Sequence, residues 1–134
     1  MTGLIEAMRP IVDFGMIVLI WIVQLVVYPA FRVVEPSRFV AWHHGYMRSI
    51  SLIVMPLMLV QAMCIIVQIS TKASGESAFS LACIVVAWLS TFLLSVPCHR
   101  RLQEEGNTKK LVDRIVATNW IRTVAWTLVP VGWL

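Results

Sequence analysis

Four long apolar stretches make up most of this sequence, and they restrict the possible folds more than any other feature. They lie at about residues 11–31, 39–69, 78–98 and 109–133, and short polar segments connect them. A helix needs about 20 residues to cross the hydrocarbon core of a bilayer. Short connections make consecutive helices antiparallel neighbours. We therefore predict an all-α fold, a four-helix transmembrane up-and-down bundle that forms a single domain over residues 1–134.

The composition agrees with a membrane location. Hydrophobic residues make up 59% of the chain and charged residues 13%. A soluble domain of this size leaves about a third of its chain surface exposed, so it could not hide this much apolar surface. The lipid bilayer is therefore the predicted partner. The net charge of +4 is expected to flank the membrane, because no basic patch with interleaved aromatic residues is present to bind a nucleic acid.

The cysteines and the N-terminal segment disfavour three other classes. Cys64, Cys83 and Cys98 are odd in number and form no CxxC pair, which disfavours a disulfide scaffold and a zinc ribbon. Buried thiols are expected instead. Arg9 and Pro10 precede the first apolar stretch, and no small-residue cleavage site with a soluble domain follows it. We therefore expect the first helix to remain in place rather than act as a signal peptide.

The distribution of basic residues predicts the orientation in the membrane. The side that holds the first-to-second and third-to-fourth connections carries eight of them: Arg32, Arg38, Arg48, Arg100, Arg101, Lys109, Lys110 and Arg114. The opposite side carries only Arg9 and Lys72. By the positive-inside rule, both of these connections should lie in the cytoplasm and both termini should be non-cytoplasmic.

Polar residues recur at helical spacing in each apolar stretch. Side chains three and four positions apart share one face of a helix. The four resulting lines are Trp21, Gln24 and Tyr28; His44, Arg48 and Ser51; Trp88, Thr91, Ser95 and His99; and Ile115, Asn119, Arg122 and Trp126. All four fall toward the predicted cytoplasmic half, so a bundle could bring them together in one pocket.

The ligand-binding candidates are His44, Arg48, His99, Asn119 and Arg122. Arg122 lies about 10 Å inside the hydrocarbon, where an arginine is costly unless it faces protein or water. With Asn119 it could hold a carboxylate, a quinone oxygen or a phosphate. Imidazole suits zinc, copper, iron and haem, so His44 and His99 are the metal-ligand candidates. No residue is singled out as catalytic.

Two structural alternatives stand beside the pocket. Histidine and arginine at helix ends can snorkel to the headgroups, and His43, His44, Arg48 and His99 lie at such positions. Asn119 and Arg122 could serve as hydrogen-bonding glue between helices. A ferritin-like di-metal site is disfavoured, because the hydrocarbon-embedded parts of the stretches carry no carboxylate and Asp13 lies at the far end of the first stretch.

Four segments carry a resemblance: residues 42–47 (WHHGYM), 54–58 (VMPLM), 96–102 (VPCHRRL) and 118–123 (TNWIRT). They resemble a group of small, uncharacterised bacterial four-helix membrane proteins. More distantly, residues 97–102 and the pair Asn119 and Arg122 are similar to the anthrone-oxygenase-like membrane family, some members of which oxidise polyketide anthrones. That resemblance implies His99, Asn119 and Arg122 as site residues, and the first implies a multi-pass protein of a bacterial inner membrane.

The sequence therefore predicts a small integral membrane protein of one of two functional classes. The first is a non-catalytic accessory subunit or small-ligand-binding module with a His/Asn/Arg cluster near the cytoplasmic face. The alternative is a small membrane oxygenase or oxidoreductase that uses the same cluster. The sequence leaves open the cofactor (metal, haem, quinone or pigment), other membrane subunits and self-association. A transporter is disfavoured, because no internal repeat is visible.

Overall fold

A computed structural model describes residues 2–134, which form four long helical segments and no β-strand. The first helix comprises Thr2–Ile22, a π-helical turn at Val23–Val27, and Tyr28–Ala30. The second is a single α-helix, Pro36–Thr71. The third comprises Gly75–Ser90, a π-helical turn at Thr91–Ser95, and Val96–Glu105. The fourth comprises Lys109–Leu128 and a 3-10 turn at Val129–Gly132.

Two prolines explain why the first and third helices contain π-helical turns. Proline has no N–H to donate, and its ring collides with the carbonyl four residues earlier. Pro29 and Pro97 each follow a π-helical turn, in which the Tyr28 N–H bonds to the Val23 carbonyl and the Val96 N–H bonds to the Thr91 carbonyl. The wider turn accommodates each proline without ending the helix. The stretches predicted at 11–31 and 78–98 are therefore parts of longer helices.

Each helix packs against two others. The first contacts the second and the fourth, and the third also contacts the second and the fourth. Asn107 ties two connections together at one end of the molecule, because its Nδ2 donates to the carbonyls of Phe31 and Val34, each at 2.8 Å. At the other end, Ser74 and Ser77 cap the third helix through a reciprocal pair of hydrogen bonds.

Three of the helices are long and apolar enough to cross a membrane: Gly3–Ala30, Pro36–Thr71 and Gly75–Glu105. The fourth is a helix, as predicted, but it carries five charged residues, namely Lys109, Lys110, Asp113, Arg114 and Arg122. It buries much of one face against the first and third helices, including Leu111, Val112, Ile115 and Trp126. One apolar face of this helix therefore serves the interior of the molecule, while Trp120, Ile121 and Val124 are exposed on the other side.

Gly132 sits where the fourth helix meets the third, and its replacement is expected to destabilise the protein. A Cβ at Gly132 would collide with Ser80 Oγ and with the backbone carbonyl of Glu76. Ser80 Oγ also donates to the Val129 carbonyl at 2.7 Å, so it is not free to move aside. We expect Gly132→Ala to cost about 1–3 kcal/mol, as overpacking does. Gly45→Ala is the control, since nothing lies within 4 Å of its Cβ position. Thermal unfolding in detergent measures both, and equal midpoints would contradict the close approach.

Candidate functional site

A cavity of about 130 Å³ lies among the helices, on the side toward Asn107. Its polar lining comprises Tyr28, Tyr46, Ser51, Thr91, Ser95, His99 and Arg122. Met16, Met58 and Trp126 form much of its apolar wall. A dry apolar cavity of about 150 Å³ is known to hold benzene, so this one can hold a small group or several waters.

Arg122 is buried in this cluster without a carboxylate. It is 6% exposed, and no Asp or Glu side chain described by the structure lies within salt-bridge distance of it. Its acceptors are neutral: Asn119 Oδ1 accepts from both Nε (2.9 Å) and Nη2, Tyr28 Oη accepts from Nη2 at 2.9 Å, and Thr91 Oγ1 accepts from Nη1 at 3.4 Å. A guanidinium has five N–H donors. Four are used, so one Nη1 hydrogen remains for a ligand.

Asn119 is held by a second group of side chains. Its Nδ2 donates to Gln24 Oε1 at 2.8 Å, while Gln24 Nε2 donates to the Val116 carbonyl at 3.1 Å. Thr123 Oγ1 also lies 3.2 Å from Gln24 Oε1. These bonds fix the amide orientation of Asn119, so its oxygen faces Arg122. Gln24 reaches this position from the π-helical turn of the first helix.

Two histidines form a hydrogen-bonded pair whose protonation follows from its partners. Gln103 Nε2 donates to the Val40 carbonyl at 3.1 Å, so its Oε1 is turned to His43 Nδ1 at 2.7 Å and must accept. In a neutral imidazole, His43 Nε2 is then an acceptor. It lies 3.0 Å from His99 Nδ1, which therefore carries the hydrogen and donates.

The same logic extends the chain of bonds to Arg122. His99 Nε2 is left as an acceptor, and Tyr28 Oη lies 3.0 Å from it. The Tyr28 hydroxyl therefore donates to His99 and accepts from Arg122 Nη2. Tyr28, His43, His99 and Arg122 come from the first, second, third and fourth helices, so one residue of each helix forms a continuous relay. When both imidazoles are neutral, every hydrogen bond of this relay has one donor and one acceptor.

Aromatic rings enclose the histidine pair. His43 stacks on Phe39 with ring centroids 5.2 Å apart, and on His99 at the same separation. Phe31 meets His43 edge-on at 5.7 Å. His43 is 1% exposed and His99 is 8% exposed. This packing leaves the imidazole nitrogens no partners other than one another, Tyr28 and Gln103.

The cavity reaches the outer surface between the second and third helices. The second helix contacts the third helix before and after the π-helical turn, but it does not contact the turn itself, Thr91–Ser95. Met55 and Phe92, which line the cavity, are 50% and 51% exposed. An apolar opening at a helix-to-helix gap faces the lipid rather than water when the surrounding helices span a bilayer.

The structure brings together three of the five predicted ligand-binding candidates. His99, Asn119 and Arg122 lie in the cluster, whereas His44 and Arg48 are exposed and make no hydrogen bond to it among the residues described. The residues that sequence reasoning omitted from the site are His43 and Gln103. The sequence does contain an indication of His43. Phe39 lies four residues before it and Tyr46 three residues after it, so the three side chains share one helix face, which the two aromatic residues mark as the buried one.

The two predicted metal-ligand candidates lie in different surroundings. His44 is exposed, while His99 shares its Nδ1 hydrogen with His43. Within residues 2–134, no three His, Cys, Asp or Glu side chains lie together in a way that could hold a metal ion. A metal at the histidine pair would have to displace the bonds that orient both rings.

The arrangement suits recognition of an oxygen-bearing molecule. Ser95 Oγ is buried and unpartnered among the described residues, and Ser95 lines the cavity, as Arg122 does. Arg122 and Ser95 can therefore both donate to the polar head of a ligand whose remaining part is mainly apolar.

No family model matches the chain, and no curated protein or solved structure shows significant similarity to it.

Proposed function

We propose that this protein binds, within the membrane, a small and mainly apolar molecule whose head is a carboxylate, a quinone oxygen or a similar acceptor. The observation that carries this proposal is the Arg122 guanidinium, which is buried among neutral acceptors with a donor to spare. A buried charge without a counter-charge is expensive. An acceptor oxygen on a ligand would offset that cost.

The opening between the second and third helices supports access from the lipid. A molecule dissolved in the bilayer would meet the exposed faces of Met55 and Phe92 first and reach Arg122 and His99 at the inner end. The thioether of methionine adapts to varied apolar shapes, so Met16, Met55 and Met58 suit a wall that accepts a ligand body.

The proposed setting is a four-helix up-and-down bundle in a bacterial inner membrane. All four helices would cross the bilayer, with the Asn107 end in the cytoplasm and both termini non-cytoplasmic. The eight basic residues at the Asn107 end support this orientation. The proposed relatives are the small bacterial membrane proteins that share the 42–47, 96–102 and 118–123 segments. A non-catalytic module of this kind could act alone or as an accessory subunit beside other membrane proteins.

The relay of hydrogen bonds favours a second candidate, a small membrane oxygenase or oxidoreductase of the anthrone-oxygenase-like kind. Tyr28, His99 and His43 connect the cavity with Gln103, which lies half-buried near the helix end. Tyr28 and the two imidazoles can exchange a proton with a bound ligand, and the Gln103 amide orients the chain by accepting from His43. The two functions differ in one observable: an oxygenase consumes dioxygen when supplied with its ligand, and a binding module does not.

Probe binding tests the proposed site directly. Trp126 lines the cavity, so its fluorescence should change when a ligand enters. We expect a short-chain quinone or decanoate to bind at least about tenfold more tightly than decane, since a charge-assisted hydrogen bond contributes about 1.5–3 kcal/mol. Arg48→Met is the matched control for Arg122→Met, because Arg48 is an exposed arginine outside the cluster. Equal affinity for decane and for both oxygen-bearing probes would contradict the proposal.

A further inference from the structure

A second buried polar cluster lies at the opposite end of the molecule, near the Lys72 connection. Asp13 of the first helix is fully buried. It accepts hydrogen bonds from Gln61 Nε2 at 2.6 Å and from Trp133 Nε1 at 2.8 Å. Arg9 Nε lies 3.4 Å from Asp13 Oδ2. These contacts join the first helix to the second helix and to the C-terminal segment.

Arg9 presents two unpartnered nitrogens. The residue is 5% exposed, and its Nη1 and Nη2 have no hydrogen-bond partner among the residues described. Only Nε faces Asp13, whose oxygens also hold Gln61 and Trp133. The Asp13 carboxylate therefore contacts the Arg9 guanidinium only at Nε, and the two terminal nitrogens, which form the fork of the guanidinium, remain without a partner among the residues described. A buried donor without a partner costs free energy until something supplies an acceptor.

Arg9 is one of the residues that line a cavity of about 310 Å³, and its unpartnered Nη1 and Nη2 are buried beside it. Arg9 and Gln68 contribute to its lining, and exposed Lys72 and Glu6 stand at its edge. Ile5, Val67 and Trp133 form apolar wall. Gln68 Oε1 is also buried without a partner among the described residues, so the cavity offers an acceptor beside its donors.

We propose that this cavity binds a phosphate-bearing anion. A guanidinium fork matches two phosphate oxygens, and a nearby ammonium adds a second cation. Arg9 and Lys72 carry two positive charges, and Asp13 and Glu6 carry two negative ones, so a singly charged phosphodiester suits the site better than a doubly charged phosphate. The apolar wall suits the carbon atoms next to a phosphodiester. A lipid headgroup and a free phosphate ion share this chemistry.

Lipid binding to the full chain in detergent, counted by native mass spectrometry, tests the site. Wild-type protein is titrated with phosphatidylglycerol and, separately, with uncharged diacylglycerol of the same acyl chains. Inorganic phosphate is tested alone, by its effect on thermal unfolding, and as a competitor. We expect phosphatidylglycerol to bind, and Arg9→Gln to weaken it about 10- to 100-fold, as the loss of charge-assisted hydrogen bonds does. Arg38→Gln removes one exposed charge elsewhere and should leave the affinity unchanged.

Each outcome decides the proposal or the source of the phosphate. Binding of phosphatidylglycerol that free phosphate does not displace identifies a lipid headgroup. Arg9-dependent binding of inorganic phosphate identifies a free anion. Equal binding of phosphatidylglycerol and diacylglycerol without a response to phosphate would overturn the proposal, as would equal losses in Arg9→Gln and Arg38→Gln. If Arg9→Gln does not fold, Lys72→Gln decides: a loss of several-fold supports the site, and unchanged affinity overturns it.

Discussion

Replacing Arg122 with methionine is expected to abolish ligand binding while leaving the fold intact. Methionine keeps much of the side-chain volume but removes the charge and all four hydrogen bonds to Asn119, Tyr28 and Thr91. We expect the affinity for decanoate or a short-chain quinone to fall about 100-fold, or about 2.7 kcal/mol. The measurement is the fluorescence titration of the purified protein in detergent.

The stability of the same variant separates a binding role from a structural one. Arg122 has no buried carboxylate partner in the part of the chain that the structure describes, so its removal strands no opposite charge. Asn119 Oδ1 would lose both of its donors, which costs about 1–3 kcal/mol, while the removal of a buried charge that has no counter-charge offsets that cost. We therefore expect Arg122→Met to unfold close to the wild-type temperature. A loss of several kcal/mol would identify Arg122 as glue between helices instead. Arg122→Lys keeps the charge but loses the fork, and should retain part of the binding.

Replacing Asp13 with alanine is expected to destabilise the protein by about 3–5 kcal/mol, the usual cost of removing one partner from a buried ion pair. Arg9 would lose its only described counter-charge, and the Gln61 Nε2 and Trp133 Nε1 donors would lose their acceptor. Gln61 Oε1 also accepts from Trp126 Nε1 at 3.0 Å, so the disturbance should reach the fourth helix. Unfolding by heat or denaturant in detergent measures the loss.

Asp113→Ala is the matched control for that prediction. Asp113 also accepts from two cations, Lys109 Nζ at 2.6 Å and Arg32 Nη2 at 2.9 Å. The hydrogen bonds from Lys109 and Arg32 lower the pKa of the Asp113 carboxyl. Asp113 is exposed to water, which solvates its partners after truncation. A loss as large in Asp113→Ala as in Asp13→Ala would contradict the importance assigned to burial.

The helices could be predicted from the apolar stretches, but their extent could not. Proline normally ends a helix, so the stretches were predicted to end near Pro29 and Pro97. The π-helical turns before each proline carry both helices onward. That continuation places Gln103 one turn beyond His99, where it can accept from His43. The relay therefore depends on a backbone adjustment that periodicity does not reveal.

The fourth-helix part of the site was predictable, and the second-helix part was not. Asn119 and Arg122 share one face at a spacing of three, and the structure joins them by hydrogen bonds. Adjacent residues on a helix differ by about 100° in direction, so the choice between His43 and His44 depends on how the whole helix is rotated. Packing of Phe39 and His43 against Phe31, just beyond the end of the first helix, settles that rotation.

The cluster at Asp13 shows a different limit of sequence reasoning. Asp13 lies at the end of the first apolar stretch, and the sequence shows no partner near it. In the structure Trp133, 120 residues away in sequence, donates to it. Nothing in local spacing predicts a contact of that range. It forms because the start of the first helix, at residues 5–10, and Trp133 both lie beside the Lys72 connection.

Extraction of the protein from its native membrane most directly tests the claim that Arg122 holds a ligand. Wild-type and Arg122→Met proteins would be purified in mild detergent, and small molecules in both would be identified by mass spectrometry, with an absorption spectrum of each sample. We expect one oxygen-bearing apolar molecule, near one per chain, in the wild type and a strong depletion of it in the variant. Identical small-molecule contents in both proteins, or a stoichiometric membrane subunit with no such molecule, would contradict it.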